Sequence, residues 1–253
     1  MLTGGGRAKR RVAFPPMDEP VVILCGGRGT RLREQTQTIP KPLVEIGGRP
    51  ILWHVIRIYA HQGFRRFVLC LGHKGELIEE FVRNDGLPEG LAIECVQTGE
   101  ETPTGGRIAR VRDRLESARF CATYADGVAD IDLAALLDFH KGHGALATMT
   151  VVQPELQFGV ARLNGDGVVA GFEEKPQFDG WINGGFFCFE PGALDYIHDD
   201  SILEREPLQS LAKDGQLRAY RHTGFWDCMD TYKDAVLLND LWAAGRAPWK
   251  ESA

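Results

Sequence analysis

This 253-residue sequence predicts an α/β fold: a mostly parallel, Rossmann-like sheet covered by helices on both faces, with a β-rich second half closing over its active edge. Three observations carry the prediction. Short apolar runs alternate four times with stretches of helical period up to about residue 145. The connections between them are short, so neighbouring strands are parallel and need helical crossovers that bury both faces. After that point the texture changes to strand-like pieces separated by Gly, Asn and Asp.

The run PVVILC at 20–25 ends abruptly in Gly26-Gly27-Arg28-Gly29, a buried strand feeding a tight backbone turn. Pro50 suits a first helical position, and Ile51, Leu52, Val55, Ile56, Ile58 and Tyr59 give the wide apolar stripe of a covered helix. RFVLCL at 66–71 is the next strand; Leu77, Ile78, Phe81 and Val82 mark a second helix, 91–96 a third strand, and Ile108, Val111 and Leu115 a third helix. The strand at 120–124 leads to Asp126, and Leu133, Leu136, Leu137 and His140 pattern a fourth helix. ALATMTVV, FGVARL, VVAGF and GGFFCF then read as strands. Thr231, with Asp234 three positions on, resembles a capping box opening a last helix that carries Val236, Leu237, Leu241 and Trp242. Nothing divides residues 20–253, which are expected to form one domain whose halves meet near residue 145.

Charge is unevenly placed. With 29 Lys+Arg against 35 Asp+Glu the chain carries −6, which argues against a nucleic-acid coat held by counterion release. Residues 1–19 are basic (Arg7, Lys9, Arg10 and Arg11 against Asp18 and Glu19), open on Gly4-Gly5-Gly6 and contain a second candidate start at Met17. This segment reads as a disordered tail, with a nucleic-acid arm as the alternative. The six cysteines, Cys25, Cys70, Cys95, Cys121, Cys188 and Cys228, lie far apart, with no CxxC pair and no His at ligand spacing. They read as free thiols in a reducing cytoplasm. No apolar window approaches a membrane span, so no membrane partner is expected.

The strongest chemical signal is Gly26-Gly27-Arg28-Gly29-Thr30-Arg31 directly after the first strand, followed by Arg33. Glycines let successive N–H groups face one concavity, and the arginines add positive charge, so the loop suits a polyphosphate. A Walker A loop would need GK followed by Ser or Thr; a dinucleotide loop would need Gly where Leu32 stands, and an acidic residue about 20 positions on. A dinucleotide oxidoreductase is therefore rejected. Lys41, between Pro40 and Pro42, is presented from extended backbone in a defined direction, and Lys175 before Pro176 has the same character. Asp126 ends a buried strand, where a carboxylate can hold Mg²⁺ bridging phosphates, and Asp230 offers a second hard ligand or a helix N-terminal charge. Asp130 and Asp132 read as caps of the following helix, and His54, His61 and His140 as packing or surface residues. Together these groups suit attack of a sugar 1-phosphate on a nucleoside triphosphate, a reaction needing charge neutralisation and no general base.

The ordered strings GGRGTRL, PKPLVEIGGRPILWH, TGGRIARV, DGVAD, EEKP, INGGFF, EPL, GFW-x-x-MDT and APWK resemble the sugar-1-phosphate nucleotidyltransferases, above all those making CDP-glucose. The resemblance implies a nucleotide-binding first half, a sugar-phosphate-binding second half, and CTP with glucose 1-phosphate as substrates. It implies Arg31 on the triphosphate, Lys41 on the transferring group, Lys175 on the sugar phosphate, and Asp126 and Asp230 on Mg²⁺. Leu24, Cys25, Gly26, Gly27, Arg28, Gly29, Thr30, Gly105, Gly106 and Arg107 would line the nucleotide, and Glu174, Asn183 and Gly184 the sugar. A homo-oligomer is expected. The chain departs from the family in a shortened segment at 84–98, in Ala125 where the family has Gly, and in the basic tail. Another nucleotide or sugar, such as a heptose or modified hexose, and a non-catalytic nucleotide-sugar sensor are the alternatives.

Overall fold

The computed structural model describes residues 16–29, 36, 38–84 and 86–250. Its central strand, β1 (Val21–Leu24), is buried along its whole length. Val21 and Ile23 enter one apolar cluster and Val22 and Leu24 another, so the period-2 alternation of a strand supplies two cores, one on each face of the sheet. A two-residue hairpin, β2 (Glu45–Ile46) with β3 (Arg49–Pro50), turns through Gly47 and Gly48 at φ 61° and 74°. Helix α1 (Ile51–His61) follows, with Pro50 as its extended N-cap residue, one position earlier than expected.

β4 (Arg66–Leu71) lies parallel to β1, α2 (Gly75–Asn84) crosses over, and β5 (Ala92–Gln97) lies parallel to β4 at the sheet edge. The expected third helix is shorter than its apolar pattern: α3 (Thr104–Ala109) contains Ile108, whereas a 3₁₀ turn at Arg112–Arg114 separates Val111 from Leu115. Two glycines in six residues give α3 little intrinsic helicity, yet all three apolar residues are buried. β6 (Phe120–Tyr124) returns parallel to β1 on its other side. Then come β7 (Gly127–Ala129) and α4 (Leu133–His143). Asp132 caps α4, its carboxylate accepting the Ala135 N–H at 2.8 Å. Asp130 does not cap it; one carboxylate oxygen instead stands 3.1 Å from His222 Nε2.

The second half continues the same sheet. β8 (Ala147–Val152), β11 (Ile182–Phe189) and β12 (Leu217–Arg221) extend it to the order β12-β8-β11-β6-β1-β4-β5, with β11 antiparallel to both neighbours. Like the β2–β3 hairpin, the exposed hairpin β9 (Val160–Leu163) with β10 (Val169–Glu173) and a ribbon of β13 (Trp226–Cys228) with β7 stand apart from it. Helix α5 (Glu206–Lys213), which its short apolar pattern left unassigned, packs on the second cluster through Leu208 and Leu211. α6 (Tyr232–Ala243) begins with the capping box expected of Thr231 and Asp234.

Residues 1–15 of the proposed tail lie outside the described residues, but its last residues belong to the fold. Met17 donates its N–H to Gly63 at 2.9 Å, and Glu19 stands 3.3 Å from the Lys141 ammonium. All six cysteines are free; Cys121 and Cys188 face each other across β6 and β11 with sulfurs 3.7 Å apart. Among the described residues no helix is long and apolar enough to cross a membrane.

His54 and His140 are buried in α1 and α4. Mutual partners fix the His54 tautomer: Nε2–H donates to the Ile46 carbonyl at 2.8 Å, and Nδ1 accepts from Trp249 Nε1 at 3.3 Å. Burial lowers both imidazoles from 6.5 to about 4. Neutrality therefore contributes stability fully above pH 6.5, and that contribution is lost as pH falls toward 4, at roughly 1.4 kcal/mol per pH unit for each histidine. Urea midpoints measured from about pH 7 down to about pH 5 are expected to fall steadily; a flat profile would contradict the assignment.

Candidate active site

A cavity of about 250 Å³ opens at the carboxyl ends of β1 and β6, the edge at which open α/β sheets take ligands. Leu24, Cys25, Gly26, Gly27 and Gly29 form one wall, Lys41 and Pro42 another, Thr102, Thr104 and Arg107 a third, and Tyr124, Ala125 and Asp126 the floor. The loop is built on close approach. A Cβ on Gly26 would lie 2.0 Å from the Arg107 guanidinium, so a side chain here would have to displace that guanidinium from its acceptors.

Pro40, extended at φ −71° and ψ 151°, delivers Lys41 into a 3₁₀ turn (Lys41–Leu43). Its ammonium reaches Asp126 Oδ2 at 2.5 Å and Asp230 Oδ1 at 2.6 Å. Burial alone would lower the pKa of this lysine, but the carboxylates outweigh it and leave the value raised. The two aspartates come from distant parts of the chain. The β7–β13 ribbon sets Cys228 opposite Gly127, the Met229 N–H donates to the Asp126 carbonyl at 2.9 Å, and the Asp230 N–H donates to Asp234 Oδ2 at 3.1 Å beside the helix cap. One donor atom from each of Asp126, Cys228 and Asp230 lies within 4.8 Å of the others. Paired carboxylate oxygens are what a hard divalent cation takes, and the Lys41 ammonium seated between them shows that positive charge is held there. The donor set therefore fits Mg²⁺.

Arg107 is 4% exposed, and both terminal nitrogens of its guanidinium are engaged. It donates to the carbonyls of Leu71, Gly99 and Gly26 at 2.9 Å each, to Glu100 at 3.2 Å and to Thr98 Oγ1 at 2.7 Å. Although it lines the cavity, it clamps the glycine loop to the ends of β4 and β5. Gly105 and Gly106, buried in α3, are absent from the cavity walls; a Cβ would lie 2.8 Å from the Ser201 carbonyl or 2.1 Å from that of Asp199. They let α3 lie against residues 199–201. Arg28 turns outward to Glu101 and Glu100. Thr30, Arg31 and Arg33 lie outside the described residues.

Of the residues expected to line the sugar, Asn183 donates to the Tyr124 hydroxyl at 3.2 Å, and the Gly184 carbonyl accepts from Trp226 Nε1 at 2.7 Å. Glu174 and Lys175 stay exposed beyond β10, away from the cavity walls. Lys175 holds φ at 48°, a left-handed conformation a lysine adopts at a cost and one that recurs at ligand-handling positions. Sequence reasoning overlooked Tyr124, Thr104, Glu204 and Cys228. Glu204 accepts from both the Tyr124 and Thr104 hydroxyls across 80 and 100 residues of chain, separations over which no local pattern operates.

The chain matches the nucleotidyl transferase family model over residues 20–227. It is 44% identical over 252 residues to the glucose-1-phosphate cytidylyltransferase of Salmonella typhimurium, covering 90% of this chain and 98% of that protein. To the mannose-1-phosphate guanylyltransferase catalytic subunit beta of Danio rerio it is 34% identical over 221 residues, covering 84% and 61% respectively. The crystal structure of HddC from Yersinia pseudotuberculosis superposes with a TM-score of 0.69 at 25% identity, covering 88% of this chain and 99% of that one.

Proposed function

The chain belongs to the sugar-1-phosphate nucleotidyltransferase family, enzymes that move a nucleotidyl group from a nucleoside triphosphate to a sugar 1-phosphate, and from this premise we propose CTP and glucose 1-phosphate as its substrates. The observation that carries the catalytic reading is Lys41, which lines the cavity and is held at 2.5 and 2.6 Å by the carboxylates of Asp126 and Asp230. The preference for CTP is supported by 44% identity over nearly the full length of the Salmonella enzyme.

A sugar 1-phosphate is already ionised near neutral pH, its second pKa being about 6. Its oxygen attacks the α-phosphorus, a P–O bond forms there as the bond to pyrophosphate breaks, and no proton moves. Among the described residues of the cavity wall there is no histidine to serve as a base. The chain instead supplies positive charge and backbone donors: the glycine loop receives phosphate oxygens and Lys41 offsets charge on the group in transit. Asp126 and Asp230 would hold Mg²⁺, which when bound neutralises triphosphate charge. Lys175 is assigned to the sugar phosphate.

Each nucleoside triphosphate, paired with glucose 1-phosphate and with mannose 1-phosphate, is to be assayed for pyrophosphate release with Mg²⁺ present. The highest kcat/KM is expected for CTP with glucose 1-phosphate. GTP with mannose 1-phosphate in first place would transfer the assignment to the chemistry named for the zebrafish relative; silence throughout would end the catalytic reading. Lys175→Ala is expected to raise KM for the sugar phosphate about tenfold or more while changing that for the nucleotide less. Equal effects on both would contradict the assigned contact.

A further inference from the structure

The cation site contains a donor that the hard-ligand reading does not use. Cys228 is held beside the two carboxylates by the backbone. It pairs with Gly127 in the β7–β13 ribbon, the residue after it donates to the Asp126 carbonyl, and its own carbonyl accepts the Asp230 N–H at 2.9 Å. The sulfur is one of three donor atoms lying within 4.8 Å of one another. Around a single tetrahedral ion, a sulfur at about 2.3 Å and oxygens at about 2.0–2.2 Å stand roughly 3.3–3.7 Å apart, so side-chain shifts of about an ångström close the set. Gly127, opposite, presents no side chain to this edge, and a Cβ there would meet only the Asp227 carbonyl, at 3.9 Å.

From this placement we infer that Cys228 is a third ligand of the Asp126–Asp230 site toward borderline and soft divalent cations, so that Co²⁺, Zn²⁺ or Cd²⁺ engages two oxygens and one sulfur where Mg²⁺ engages oxygens alone. The inference rests on the reading that these two carboxylates hold a cation. Mg²⁺ gains nothing from a sulfur, whereas thiophilic ions gain a metal–sulfur bond. Formation of that bond releases the thiol proton to solvent and changes no oxidation state. The consequence is a site whose selectivity is set by the cation supplied as well as by the nucleotide, and which a thiophilic ion occupies in preference to the productive one. The other thiols do not share this position: Cys25, Cys70, Cys121 and Cys188 are buried, and Cys95 lies on the edge strand β5.

Co²⁺ is the direct probe, because a cobalt–thiolate bond has a near-ultraviolet charge-transfer band that cobalt–carboxylate bonds lack. The full chain is titrated with Co²⁺, with bound metal counted by calorimetry and the band recorded for the native protein, Cys228→Ser, Cys228→Ala and Cys95→Ser. The band is expected in the native protein and in Cys95→Ser, and is expected to vanish in both Cys228 variants while Co²⁺ still binds. Cd²⁺ affinity relative to Mg²⁺ should fall by roughly tenfold or more in the same two variants. Bound Co²⁺ without the band in native protein, or a band that survives in both Cys228 variants, overturns the inference and leaves the carboxylate site standing. No bound Co²⁺ at all, with or without CTP, removes the inference and the carboxylate reading together.

Discussion

Lys41→Gln lowers kcat by about 10²- to 10³-fold, with smaller changes in either KM, because the lysine's charge is offered to the group in transit more than to either bound substrate. The same variant is expected to bind Mn²⁺ more tightly in the absence of nucleotide. In the native chain the ammonium spans Asp126 and Asp230 at 2.5 and 2.6 Å, so an incoming cation must displace it; glutamine offers no competing charge. Asp126→Asn separates the two effects, since it weakens turnover and Mn²⁺ binding alike. Steady-state kinetics, with Mn²⁺ binding followed by paramagnetic resonance, reads both. A Lys41→Gln enzyme within about tenfold of native kcat would remove Lys41 from the catalytic assignment.

Arg107→Ala is expected to cost about 3–5 kcal/mol of stability, the largest single effect among the buried polar residues of the site. The guanidinium serves four backbone carbonyls and a threonine hydroxyl, and orphaned buried acceptors cost about 1–3 kcal/mol each before water enters the vacated space. For a chain of this size that corresponds to a midpoint lowered by about 10 °C in a thermal scan. Arg107→Lys recovers only part of it, because an ammonium cannot reproduce the planar fork. Below the melting range the alanine variant also raises KM for the nucleotide, since the Gly26 carbonyl loses the donor that holds the loop in place. A midpoint within about 2 °C of native would show that the clamp carries no weight.

These two residues mark what was legible in the sequence. Lys41 stood out because flanking prolines announce a directed side chain, and β1 with its glycine turn because the apolar run and its break are adjacent. The motif places Arg107 with the nucleotide residues, and it does line the cavity, but its role as a clamp has no local signal. Nothing local distinguishes an arginine facing a ligand from one engaged by carbonyls, because its acceptors come from β4, from the turn after β5 and from the glycine loop. The second-half strands were recognised one by one, but their entry into the first-half sheet was not: joining a sheet is decided by edges and register, and an apolar run carries neither. Strands as short as Gly127–Ala129 and Trp226–Cys228 leave no periodicity to find, although their pairing is what brings Asp126 to Asp230. Asp130 resembles a cap for the same local reason that Asp132 is one; the histidine beside it stands on the far side of the sequence.

That three-residue ribbon has a bearing on synthesis. A domain folds as a unit, and here β1, the glycine loop and Asp126 leave the ribosome well before β13, Asp230 and the helix cap that orients it. Until then Lys41 has one carboxylate partner of its two. A chain stalled between the two aspartates thus holds Lys41 by one carboxylate only, and the site is complete no earlier than the release of Asp230.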